Sequence, residues 1–220
     1  MNDVNMFQIV NLFPTAIGMF ELGRDFTKEE LDFLLNQEHA PNMGNTTSKF
    51  RFILRDESMV DLRAFVQNSI DAYFNNVIAP SKDASLYVTQ SWMNYSKKGQ
   101  WHHAHEHPNS ILSGVFYIQT DNLDKIYFEK NHYEQIQFPT EKFNLYNSKS
   151  WWLEATQGRL VIFPSSLRHN VQPVETDHTR VSLSFNTFAK GLIGADEVAR
   201  VVLFLASPQS GNITGEVIGI

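Results

Sequence analysis

From Ser85 onward the chain is written in short apolar runs spaced about ten residues apart, and that rhythm limits its fold more than any other feature. Residues 85–95, 111–119, 125–129, 134–138, 150–154, 159–163, 170–174 and 180–188 each read as a strand. Turns such as Lys97-Lys98-Gly99, Thr120-Asp121-Asn122 and Gln157-Gly158 separate them. About eight strands in this rhythm predict a sandwich, barrel or jelly roll. Residues 6–22, with a turn at Phe13-Pro14, read as extended. Two helices follow and are expected to pack on one face of the β structure. Thr27 as N-cap with Glu30 three residues on opens the first, whose apolar face is Leu31, Leu34 and Leu35. The second spans about Ser58 to Ile78, with Asp56 or Ser58 as cap, Val60, Ala64, Ile70 and Phe74 near helical spacing, and Pro80 as its stop.

Composition excludes several classes of function. The chain has 220 residues, enough to bury a substantial core, and its 42% hydrophobic and 19% charged residues are those of a soluble globular protein. Its net charge of -6 argues against general nucleic-acid binding, which needs a basic surface. No apolar run approaches the roughly 18 residues that span a membrane. The N-terminus has no basic region followed by an apolar stretch, so a cytoplasmic location without a secretion signal is expected. With no cysteine, disulfides, thiolate metal sites and thiol nucleophiles are excluded together. A transition metal must therefore sit on His, Asp or Glu.

Four of the eight histidines fall in the stretch Trp101-His102-His103-Ala104-His105-Glu106-His107. In a strand, residues i and i+2 share a side. His105 and His107 can aim at one point, and so can His103 and His105; alternation alone does not choose between these pairs. His169 follows Gly158-Arg159-Leu160-Val161-Ile162-Phe163-Pro164-Ser165-Ser166-Leu167-Arg168. Two histidines on one strand and a third from a distant one leave metal positions open, which suits a catalytic site better than a closed structural one. The remaining histidines, His39, His132 and His178, have no motif around them and read as solvent-facing. Trp92, Trp101, Trp151 and Trp152 read more readily as buried aromatics of a β core than as pocket walls.

The spacing Gly99, five residues, His105, one residue, His107 is similar to the opening of the cupin signature. Gly158, five residues, Pro164, then His169 is similar to its second half, with Ser166 where a glycine is usual. No glutamate follows His107 at the place that signature expects one. Eleven positions beyond His169 stands Arg180, in Arg180-Val181-Ser182 at the head of a strand. Together with Leu12-Phe13-Pro14, His105-Glu106-His107-Pro108-Asn109-Ser110, Leu112-Ser113-Gly114-Val115-Phe116-Tyr117 and Ile162-Phe163-Pro164-Ser165, this resembles a family of 2-oxoglutarate–Fe(II) oxygenases found in marine tailed phages and in bacteria. The resemblance covers about residues 8–190. It implies a mainly β, double-stranded β-helix fold (a cupin-like jelly roll) with N-terminal helices. It also implies Fe(II) on His105, His107 and His169, and 2-oxoglutarate anchored by Arg180 with Ser182. Asn94 and Tyr117 lie on strands where such enzymes place further cosubstrate contacts. One departure stands out: the usual triad is His-x-Asp with a distant His, and His107 occupies the Asp position.

The chain is thus expected to be a hydroxylating dioxygenase that releases succinate and CO2, acting on a small-molecule or protein substrate in the cytoplasm, that of the host if the gene is a phage's. The alternatives are a three-histidine cupin-type metalloenzyme without 2-oxoglutarate and a non-enzymatic phage jelly-roll protein. The expected division is 1–190 for the β domain and 191–220 for a helical extension. That tail resembles the C-terminal segment of short-chain dehydrogenases, but the glycine-rich nucleotide loop and the Tyr-x-x-x-Lys pair of that family are missing, which excludes a nicotinamide reductase. Its apolar helix is a candidate surface for homo-oligomer formation.

Overall fold

The computed structural model describes residues 8–80, 84–130 and 139–191. The strand expected over 134–138 and the helical extension of 191–220 lie outside them, apart from Gly191. Among the described residues, two antiparallel sheets face each other, with two helices on the outer face of the larger one. The larger sheet has the order β1-β9-β6-β11-β4-β3-β2 and the smaller the order β5-β10-β7-β8. Their strands are β1 (Gly18–Glu21), β2 (His39–Pro41), β3 (Thr46–Ser48), β4 (Ser85–Lys97), β5 (His102–His105), β6 (Leu112–Gln119), β7 (Lys125–Glu129), β8 (Ser150–Glu154), β9 (Arg159–Pro164), β10 (His169–Val171) and β11 (Thr179–Lys190). This is a jelly roll, one of the three architectures that the strand rhythm allows and the one that the family resemblance implies. No helix among the described residues is long and apolar enough to cross a membrane.

Helix α1 (Lys28–Leu35) opens with the expected capping box: Glu30 N–H donates to Thr27 Oγ1 at 3.1 Å, and Thr27 N–H donates to Glu30 Oε2 at 2.8 Å. Leu34 is fully buried, whereas Leu35 turns toward solvent. Helix α2 (Val60–Tyr73) runs into a π turn over Phe74–Ile78. Asp56 does act as a cap, but for the short 3-10 turn Glu57–Met59 ahead of the helix. The buried stripe of α2 is Leu62, Val66, Ile70 and Tyr73, while Val60 and Ala64 face out. The sequence contains both stripes; the bulkier one, spaced by four, four and three, takes the core.

The two faces of the larger sheet differ in chemistry. On β11, Val181, Leu183 and Phe185 pack toward the helices, in one core with Met93 and Tyr95 of β4, Phe116 of β6 and Leu62 and Ile70 of α2. The alternate residues, Arg180, Ser182 and Ser184 on β11 and Trp92, Asn94 and Ser96 on β4, face the smaller sheet. Val115, Tyr117, Val161 and Phe163 fill part of that space against Ile126 and Phe128 of β7. A second, apolar core therefore closes one side of an inner space whose other side is polar.

Candidate metal centre

His105 ends β5 and stands directly opposite His169, the first residue of β10. His107 lies beyond the strand, where the chain turns through Asn109 at φ 56°. It is placed by the loop: its N–H donates to Ser165 O at 2.9 Å, Ser165 N–H donates to Ile111 O at 3.1 Å, and Ile111 N–H donates to Thr187 O at 3.1 Å. The imidazole centroids are 4.4 Å apart for His105–His169, 4.9 Å for His105–His107 and 5.2 Å for His107–His169. One ring nitrogen from each lies within 4.8 Å of the other two.

Two of the rings are fixed in the same tautomer. His105 Nδ1–H donates to His103 O at 2.8 Å and His169 Nδ1–H donates to Leu167 O at 2.9 Å. A carbonyl only accepts, so each Nε2 is left with a free lone pair, the arrangement that orients metal-binding imidazoles. Burial, reinforced by the neighbouring imidazoles, pushes His169 down to about 3 and His107 to about 4, and it lowers His105 as well. At neutral pH these groups are uncharged donors. Phe163 packs edge-on to His169 at 4.7 Å and screens it from water. Glu106 is exposed and takes no part in the cluster.

Across the pocket, Arg180 is 6% exposed, and its Nη1–H donates to Asp124 Oδ1 at 3.1 Å. Asp124 is itself held by Asp121 N–H at 2.9 Å and His178 Nε2–H at 2.8 Å, both on Oδ2. This corrects one expectation: His178 is a partly buried partner of Asp124, not a solvent-facing residue. Burial lowers the Arg180 pKa against the opposing pull of Asp124. Tyr117 is buried beside it and its phenol is shifted upward by desolvation, so it remains a hydroxyl donor. Asn94 donates through Nδ2 to Ser184 Oγ at 2.9 Å, while its Oδ1 is buried without a partner among the described residues.

His105, His107, His169, Arg180, Ser182, Asn94 and Tyr117 all line this one pocket. Sequence reasoning missed His102, Trp92, Ser96 and Ser184, which share the lining. Strict alternation against Met93, Tyr95, Val181, Leu183 and Phe185 carries the signal for the last three. Asp124 sits in a turn with no local signal at all. Trp101, Trp151 and Trp152 are about two-fifths exposed instead of buried in a β core, and Trp152 stacks under Lys125. Three neutral imidazoles, each with a ring nitrogen within 4.8 Å of the other two, fit a divalent transition metal. The adjacent buried guanidinium and hydroxyls fit an anionic chelator beside it.

The fold and donor set thus define a double-stranded β-helix with a three-histidine cluster able to hold a metal. Comparison with known proteins narrows this. Residues 90–186, which contain every pocket residue just named from β4 to β11, match the model of a family described as "Putative 2OG-Fe(II) oxygenase". A comparison with curated proteins gives no match. Among solved structures the chain is similar to a 2OG-Fe(II) oxygenase family oxidoreductase from Burkholderia pseudomallei (11% identity, TM-score 0.53, 71% of this chain and 74% of that one). It is also similar to HygX from Streptomyces hygroscopicus, seen with nickel, 2-oxoglutarate and hygromycin B (10% identity, TM-score 0.54, 79% and 82%). A third is a prolyl-4-hydroxylase from Pseudomonas putida (15% identity, TM-score 0.50, 78% and 92%). At these identities the solved structures establish the shared jelly-roll fold.

Proposed function

We propose that the protein is an Fe(II)- and 2-oxoglutarate-dependent oxygenase. The observation that carries this reading is the facing of two half-sites across one pocket: His105, His107 and His169 from the smaller sheet and its following loop, and Arg180, Ser182, Asn94 and Tyr117 from the larger sheet. The match over residues 90–186 supports it. Neither alternative, a cupin metalloenzyme without the cosubstrate or a non-enzymatic jelly-roll protein, is favoured by that match.

In this reading His105, His107 and His169 hold the iron through their free nitrogens. Iron and 2-oxoglutarate together supply the oxidising chemistry, in which O2 and the cosubstrate yield succinate, CO2 and a hydroxylated substrate. Arg180 is the anchor for the distal carboxylate: its Nη1 is spent on Asp124, and the rest of the guanidinium has no protein partner among the described residues. Ser182 and Tyr117 add hydroxyl donors, and Asn94 Oδ1 offers an acceptor to a bound hydroxyl or water. Phe163, Val115 and Ile126 keep that end of the pocket dry, which strengthens each of these polar contacts. His107 in place of a carboxylate leaves one more positive charge on the metal centre, so the site favours anionic ligands. The test is succinate formation from 2-oxoglutarate by the iron-loaded protein, scanned over candidate substrates. The reading predicts turnover that needs iron and disappears in His169→Ala; no turnover together with unchanged 2-oxoglutarate binding in Arg180→Ala contradicts it.

A further inference from the structure

Just outside the inner triad, β5 carries a second convergence of imidazoles. His105 pairs with His169 but His102 pairs with Val171, so three steps along β5 match two along β10. This is a β-bulge, and it breaks the alternation that sends neighbouring side chains to opposite faces. His102 and His103, adjacent in sequence, therefore both approach His105. The ring centroids are 4.4 Å apart for His102–His105, 5.0 Å for His102–His103 and 5.1 Å for His103–His105. One nitrogen from each lies within 4.8 Å of the others. His103 Nδ1 is buried with no hydrogen-bond partner among the described residues, an arrangement that folded proteins avoid unless something else satisfies it. His102 and His103 also line an open cleft of about 420 Å3 with Trp101, Glu129 and Asn170, so an ion reaches them from solvent.

We infer that His102, His103 and His105 form a second metal position, which takes a late first-row divalent ion and competes with the inner triad for His105. An all-imidazole donor set suits Ni2+, Cu2+ or Zn2+ better than it suits Fe2+, because affinity at nitrogen sites rises toward the end of the series. His105 cannot serve both positions. Its Nδ1–H is committed to His103 O, which leaves one nitrogen to give. An ion on the outer three residues thus removes one ligand from the inner three, and the outer position acts as an inhibitory metal site facing solvent. This inference needs the inner triad only as the competitor for His105, and it holds whether or not 2-oxoglutarate is the cosubstrate.

The experiment is Ni2+ titration by calorimetry of full-length variants freed of metal. His107→Ala/His169→Ala removes two of the three inner ligands and leaves the outer set whole. It is expected to bind one Ni2+ per chain, and further substitution of His102→Ala/His103→Ala is expected to weaken that binding at least tenfold. Equal Ni2+ affinity in the double and quadruple variants overturns the proposal. The inner triad is read separately, because His102→Ala/His103→Ala keeps all three of its members. Should that double variant not fold, the single variant His169→Ala, which lacks one inner ligand and keeps all three outer ones, provides a second test. Zn2+ is expected to slow modification of His103 by diethylpyrocarbonate at least fivefold, as mapped by mass spectrometry, since the inner triad does not use that ring. An unchanged rate overturns the proposal.

Discussion

Arg180 and Asp124 show how single residues set the chemistry of the pocket. A buried guanidinium is costly unless paired, and Asp124 meets that need with one oxygen while its other is fixed by Asp121 and His178. The pair orients Arg180 and leaves most of its donors facing the pocket. Asp124→Asn keeps the shape and removes the charge. The expected outcome is a KM for 2-oxoglutarate raised about tenfold with kcat within about twofold, corresponding to the loss of one charge-assisted contact of ~1.5 kcal/mol; an unchanged KM counts against a positioning role for Asp124. The histidines make a prediction in pH. His102, His107 and His169 are held neutral in the fold well below the ordinary histidine value of 6.5. Below that value the unfolded chain takes up protons that the folded chain refuses, so stability falls as pH falls. The penalty is absent above about pH 6.5 and grows as pH falls toward about 3, where the folded His102 and His169 themselves titrate. Thermal midpoints of the metal-free protein should drop over that window, and His169→Gln should flatten the drop.

At the scale of elements, the strand period did most of the prediction. Sequence rhythm located β7 and β8 to the residue and most others to within a few, because each carries an alternating pattern between turn residues. Arg180, Ser182, Asn94 and Tyr117 are legible only through the family resemblance, whereas motif spacing alone singles out His105 and His169. Other features depended on the neighbour. The bulge in β5 exists only in its register against β10, so nothing local reveals that His102 joins the pocket wall. The stretch Gly44-Asn45-Thr46-Thr47-Ser48, which contains β3, reads in sequence as a polar loop, since it carries no apolar alternation, and pairing with β4 is what makes β3 a strand. Close packing between strands gives a further prediction. Gly114 of β6 pairs with Phe185 of β11, and a Cβ there meets the fully buried Phe185 ring at 2.2 Å. Gly114→Ala should destabilise the fold by roughly 1–3 kcal/mol, as overpacking in cores does, measured by urea denaturation; a stability within error of the natural protein contradicts this packing.

For the molecule as a whole, the division of labour between sheets is the organising fact. The larger sheet buries one face against α1 and α2 and turns a polar face inward; the smaller sheet brings the histidines and Phe128 to meet it. In the proposed function, metal and cosubstrate would draw on both sheets, and neither half-site would suffice alone. The central claim, that one pocket holds a metal on the histidines and a 2-oxoglutarate chelating it and pairing with Arg180, has a direct test. It is calorimetric measurement, without oxygen, of 2-oxoglutarate binding to the full chain with and without Fe2+, in the natural protein and in Arg180→Ala. Two charge-assisted hydrogen bonds at ~1.5 kcal/mol each correspond to roughly a hundredfold in affinity. The predicted result is 2-oxoglutarate binding that requires Fe2+ and weakens about a hundredfold in Arg180→Ala, with Fe2+ binding itself retained. Binding of 2-oxoglutarate that is indifferent both to Fe2+ and to Arg180 would contradict the account.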